Sequence, residues 1–153
     1  MDGIDWLSCN EERRSSSMKK YSNMALIYAV LALCGGVFFR EFTKFNDFTG
    51  KTVLSVVHTH YFVLGVLAAL LVLILERTVT NNQLMNGKLF VLYNVGLNLT
   101  CIMFLVRGIT QVLGTPLASG ATVAVSGIAG LGHIILGVSI IWALVRLKKI
   151  VKE

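Results

Sequence analysis

Residues 56–75 read VVHTHYFVLGVLAALLVLIL, a run without a single Asp, Glu, Lys or Arg. About 20 such residues, rising 1.5 Å each as a helix, cross a hydrocarbon core of ~30 Å. Three other runs are as long and as apolar, so the spans are drawn at residues 21–39, 53–75, 89–106 and 121–145. Backbone groups in lipid must pair within their own segment, and two-residue alternation is absent, so the spans are helices. The expected fold is all-α, an integral membrane four-helix bundle formed by residues 18–153.

Composition agrees. The chain is 55% hydrophobic and 14% charged, with a mean hydropathy of +0.72, values that a soluble domain of this length rarely reaches. The formal net charge of +6 invites a nucleic-acid reading, but the cations are sorted by side. Arg13, Arg14, Lys19, Lys20, Arg77, Lys88, Arg146, Lys148, Lys149 and Lys152 flank one end of the spans. Arg40, Lys44, Lys51 and Arg107 flank the other. The positive-inside rule then places both termini in the cytoplasm of a bacterial cell, with the bundle in its cytoplasmic membrane. No nucleic-acid motif is present, and that partner is set aside.

Residues 1–17 are polar and end in RRSSS, with charges following rather than preceding any apolar stretch. That is not a signal peptide, and a disordered, dispensable cytoplasmic tail is expected. The segment REFTKFNDFTGKT, residues 40–52, reads as a first outer loop at the lipid–water interface, where aromatic rings and snorkelling cations belong. Residues 76–88 form a polar link whose Asn81-Asn82 and Asn86-Gly87 favour turns. Pro116 lies in the second outer loop, so the fourth helix is expected to begin after it. Cys34 and Cys101 read as small buried hydrophobes. Phosphate-loop, HExxH, nucleophile-elbow and dinucleotide motifs are absent, and no catalytic residue is assigned.

The only histidines are His58, His60 and His133, and all three fall inside spans. An imidazole in hydrocarbon is a functional hypothesis by default, because it costs free energy unless it pairs or binds something. His58 and His60 point about 200° apart on an ideal helix, so one of them faces the bundle. Gly65 and Ala69 share the His58 face, where small residues would admit a neighbouring helix or a flat ligand. The His60 face runs through Leu64, Leu67 and Leu71 and resembles lipid packing, although depth in the membrane favours His60. His133 lies on a stripe of Ser126, Ala129, Gly130 and Gly137, which reads either as a small-residue helix interface with His133 bonded across it to Asn94 or Asn98, or as the clearance a porphyrin plane needs. Two axial imidazoles between helices are a standard haem site. Asn94, Asn98 and Cys101 form another stripe, read as interhelical hydrogen-bonders or as partners that fix a histidine tautomer. Arg107 is a candidate partner for haem propionates.

At VVHTHYFVLG and GIAGLGHIILG the chain resembles an uncharacterised bacterial family of small four-helix membrane proteins, a domain of unknown function. MKKYSNMALIYAVLALCGGVFFREFTKF has the look of that family's opening, and the resemblance covers residues 18–151. HTHYFVLG is also similar to the second-helix motif of short relatives of haem–copper oxidase subunit I. That resemblance implies a haem ligand at His58 or His60, with His133 opposite. A complete oxidase is excluded, since no further histidines remain for copper and a second haem.

The resulting expectation is a b-type haem protein acting in electron transfer, haem sensing or haem handling. Its cofactor-binding residues are drawn from His58, His60, His133, Gly65, Gly130, Gly137 and Arg107. Expected partners are membrane lipid, a second copy as a homodimer, and a redox partner or quinone. The alternatives are a transport or metal-handling protein whose three histidines are metal ligands, and a structural subunit without a cofactor.

Overall fold

A computed structural model describes residues 2–80, 84–115 and 117–152. Within helix α1, the side chains of residues 2–10, 13 and 14 are outside that description. Asn81, Asn82 and Pro116, read above as turn and boundary residues, lie outside the described residues.

Four long helices follow one another: α1 (Asp2–Phe45), α2 (Val53–Thr78), α3 (Gly87–Val112) and α4 (Ser119–Ile150). Each carries a stretch long and apolar enough to cross a membrane, the first of them within Ser15–Phe45. The fold is a membrane four-helix bundle. Its termini and the α2–α3 link lie at one end, here the terminal end. The α1–α2 and α3–α4 loops lie at the other, the loop end.

The backbone is helical from Asp2, so residues 2–17 open α1. No glycine or proline stands between Gly3 and Gly35, and a helix already formed extends at little cost through such a segment. At its other end α1 runs to Phe45, taking up half of the expected outer loop and stacking Phe38 on Phe42 at 5.0 Å. Only a short turn then leads to α2, with Asp47 at a left-handed φ of 46°.

Helix α2 is not uniform. It opens as a 3-10 turn at Val53–Val56, passes through His58 and His60 in α geometry, and widens to a π-helix over Tyr61–Leu67 before Ala68–Thr78 resumes the α form. A π turn shifts the backbone bonds by one residue and sets carbonyls free. One of these, Leu64 O, accepts the Tyr93 hydroxyl from α3 at 2.6 Å.

Packing is by pairs. α1 lies along α2, and α3 lies along α4 for most of its length. The second seam is closed by glycine. A Cβ on Gly96 would stand 2.6 Å from Leu136 N, and one on Gly132 would stand 2.6 Å from Thr100 Oγ1. Such backbone-to-backbone approach is what small residues provide where lipid supplies no hydrophobic drive. The pairs join at the loop end, where the first turns of α2 meet α3, Thr52 Oγ1 donates to Gly108 O at 3.1 Å and Val53 N donates to Gln111 Oε1 at 2.9 Å. Toward the terminal end the backbones of α2 and α4 stay apart, leaving a lateral cleft between them.

Candidate functional site: the α2–α4 cleft

The cleft has two levels. Its inner part is a cavity of about 220 Å³ lined almost wholly by hydrocarbon, including Leu64, Ala68, Leu71, Ile140, Ala143 and Leu147. The small side chains of Ala68, Ala69 and Ala143 make the hollow.

One turn toward the loop end, α2 and α4 bring two of the three histidines together. The ring centres of His60 and His133 lie 6.3 Å apart with their planes at 85°. Phe104 of α3 lies edge-on to both, at 5.0 Å from His60 and 5.5 Å from His133. Each imidazole is fixed by its own helix. His60 Nδ1 is 2.9 Å from Val56 O, and His133 Nδ1 is 2.8 Å from Ala129 O. A carbonyl only accepts, so each Nδ1 carries the proton, and in the neutral ring Nε2 keeps its lone pair. Two rings are thus oriented with a ligating atom left uncommitted, as histidines at metal centres are when the second nitrogen is tied to a carbonyl.

Arg107 stands one turn beyond Phe104 on α3, and its Nη1 donates to Ser126 Oγ of the His133 stripe at 3.5 Å. A polar hollow lined by Arg107, Thr110, Gln111 and Thr122 opens there at the loop end. A Cβ added to Gly130 or Gly137 would meet nothing within 4 Å, so space is open beside His133.

Two candidates fall elsewhere. His58 faces α1, where its ring lies against Gly36, and its Nδ1 is buried without a hydrogen-bond partner. Gly65 holds no room for a ligand, because the Tyr28 ring already fills it. Of the two readings of the His58 face, a neighbouring helix is the one the structure shows. Small residues on the His58 side drew in a helix, whereas the leucines on the His60 side line the cleft. Among the described residues, no group of three or more His, Cys, Asp or Glu is placed to hold a metal. The three histidines do not form one metal site.

The amides of α3 serve the other half of the bundle. Tyr28 OH donates to Asn94 Oδ1, Asn98 Nδ2 donates to Tyr28 OH at 2.8 Å, and Tyr61 OH donates to Asn98 Oδ1 at 3.2 Å. Tyr28 and Tyr61 stack at 5.6 Å. Cys101 is buried, whereas Cys34 is exposed on α1. These tyrosines, with Phe104, escaped the sequence reading because an aromatic residue in a span reads as core or interfacial anchor. At the terminal end Glu76 is 3% exposed and accepts from Tyr21 OH, Thr80 Oγ1 and Met85 N. Arg146 Nε donates to Leu84 O at 2.9 Å, tying the link to α4.

The fold and this cleft define a small multi-pass membrane bundle with a paired-imidazole site. The chain belongs to the family described as protein of unknown function (DUF2871), whose model matches residues 18–150. No curated protein and no solved structure matches it.

Proposed function

We propose that the protein is a b-type haem protein of the bacterial cytoplasmic membrane, with both termini cytoplasmic, His60 and His133 as axial ligands, and electron transfer as its activity. The observation that carries this reading is a ligand set of two. Zinc held by side chains takes three or four protein donors, and Cu(I) prefers thiolates and thioethers to imidazole. Two imidazoles suit an ion that brings an equatorial ring of its own, as haem iron does. His60 and His133, with ring centres 6.3 Å apart on facing helices, are the residues that would hold such an ion.

The hollow of about 220 Å³ next to the pair has the hydrocarbon walls that the apolar part of a porphyrin would need, and Arg107 at the loop end would suit its carboxylates. The open faces of Gly130 and Gly137 leave clearance beside His133. Bound haem would supply one-electron chemistry. The chain's own part is to orient Nε2 through the Val56 and Ala129 carbonyls, with Phe104 edge-on to both rings. On α2, the position of His60 in the cleft beside His133 favours it over His58, which faces α1.

The test is an absorption spectrum of protein made with ample haem and purified in detergent. A Soret band and a reduced α-band are expected in wild type and in His58→Ala. Both bands should vanish in His60→Ala and His133→Ala. Colourless wild-type protein, or loss of the bands in His58→Ala with retention in His60→Ala, overturns the assignment.

A further inference from the structure

On the opposite side of the bundle, α1 and α3 are held apart, and a groove of about 370 Å³ runs between them. Its floor is bridged by the Tyr28 bonds to Asn94 and Asn98. Ile27 and Leu31 form a hydrocarbon wall, and Lys20 and Asn23 stand at the mouth, on the terminal end. Lys20 Nζ lies 3.6 Å from the centre of the Phe90 ring and 5.5 Å from that of Tyr21. It makes no salt bridge among the described residues, although Glu76 attracts it from within the bundle.

We infer that this groove binds an acidic phospholipid, with its phosphate on Lys20 and Asn23 and an acyl chain along Ile27 and Leu31. The distribution of free donors carries the inference. Asn94 Nδ2 is committed to Phe90 O at 2.7 Å and to Met24 Sδ, and Asn98 Nδ2 to Asn94 O and Tyr28 OH. The floor therefore has no donor left for a polar head buried deep in the groove. The mouth has an ammonium whose nearest neighbours are two ring faces, which complement its charge without satisfying its N–H groups. A cation at the membrane interface above an apolar channel is complementary to an anionic head with a hydrocarbon tail, and basic pockets between spans bind such lipids. Lys19 and Lys88 add positive charge at the same end. This site is independent of the haem reading and lies between α1 and α3, away from the α2–α4 cleft.

The experiment is native mass spectrometry of the full chain released from micelles containing phosphatidylglycerol and phosphatidylcholine in equal amounts. Wild type should retain one phosphatidylglycerol in preference to phosphatidylcholine, less so as salt rises. Lys20→Gln should lower that retention about fivefold, the weight of one lysine at an anionic surface. Ile27→Trp, which narrows the groove without touching charge, should lower it too. Lys148→Gln, an exposed cation at the same end outside the groove, should leave it unchanged. Equal retention of the two lipids overturns the site. So does an equal loss in Lys148→Gln, which would mean diffuse attraction, and so does unaltered retention in both Lys20→Gln and Ile27→Trp. Helix content by circular dichroism confirms that each variant is folded.

Discussion

The Tyr28 side chain lies so close over Gly65 that a Cβ there would stand 2.5 Å from Tyr28 Cγ and 2.6 Å from Tyr28 Cβ. These atoms are at the base of the ring, near the α1 backbone, so no rotamer change relieves the clash. Gly65→Ala should pry α1 from α2, strain the Tyr28 bonds to Asn94 and Asn98, and cost about 1–3 kcal/mol. Thermal unfolding in detergent measures it. Gly130→Ala is the control, with nothing within 4 Å, and should unfold like wild type. Equal melting of the two variants would count against the packing.

His58 presents the opposite case, a polar atom where nothing accepts or donates. Its Nδ1 is buried without a partner beside Gly36. Removing an unsatisfied buried group in favour of an apolar one of similar size is neutral or stabilising. His58→Leu should therefore melt no lower than wild type, with a gain on the order of 1 kcal/mol. A marked loss of stability would reveal a partner for that nitrogen.

The four spans were legible because membrane insertion is a property of each segment: length and the absence of charge decide it. The facing of α2 was not legible, because small residues carry two opposite meanings. Gly65, Gly96 and Gly132 are small so that another chain segment can touch them, whereas Gly130 and Gly137 are small with open space beside them. Only the packed bundle separates the two. The histidine pair had the same history. Periodicity put His58 and His60 on different faces, but which face met α4 depended on how two helix pairs close. Asn94 and Asn98 were legible as interhelical hydrogen-bonders, while their partners Tyr28 and Tyr61 were not, since a phenol in a span has no pattern that marks it.

Glu76 gives a test of the terminal end. It is 3% exposed and accepts hydrogen bonds from Tyr21, Thr80 and the Met85 backbone. Thr80 Oγ1 can still donate to Leu75 O, but Glu76→Ala takes the acceptor from Tyr21 OH and Met85 N, at a cost of roughly 1–3 kcal/mol each. Glu76→Gln keeps one acceptor oxygen and should fall between the alanine variant and wild type. Protease nicking of the α2–α3 link, compared across the three proteins, reports the loosening. Identical nicking in all three would sink the idea that Glu76 holds the link.

Tyr93→Phe isolates the π segment. The hydroxyl bonds Leu64 O at 2.6 Å, a carbonyl that the wide turn of Tyr61–Leu67 leaves to a side-chain donor. Interhelical bonds of this kind contribute about 0.6–2 kcal/mol in membranes. The variant should lose that much stability while the α1–α2 contacts stay in place. Because His60 adjoins the π segment, the haem α-band in Tyr93→Phe should shift or broaden rather than disappear. Complete loss of the spectrum would mean that the π turn, more than the His60 side chain, builds the site.

The proposed orientation rests on charge. Ten of the fourteen basic residues flank the terminal end and four flank the loop end, and lysine and arginine are retained on the cytoplasmic side of short loops. Single cysteines placed at Asn46 and Leu117, in a background lacking Cys9, Cys34 and Cys101, should react with a membrane-impermeant maleimide added to intact cells. A cysteine at Lys152 should react only after the cells are opened. Arg107 lies at the loop end, so this orientation also puts the open hollow beside it, and the carboxylate end of any haem in the cleft, toward the outer face of the membrane. Labelling of Lys152 but not Asn46 from outside would invert the protein and would place the Lys20 groove in the outer leaflet.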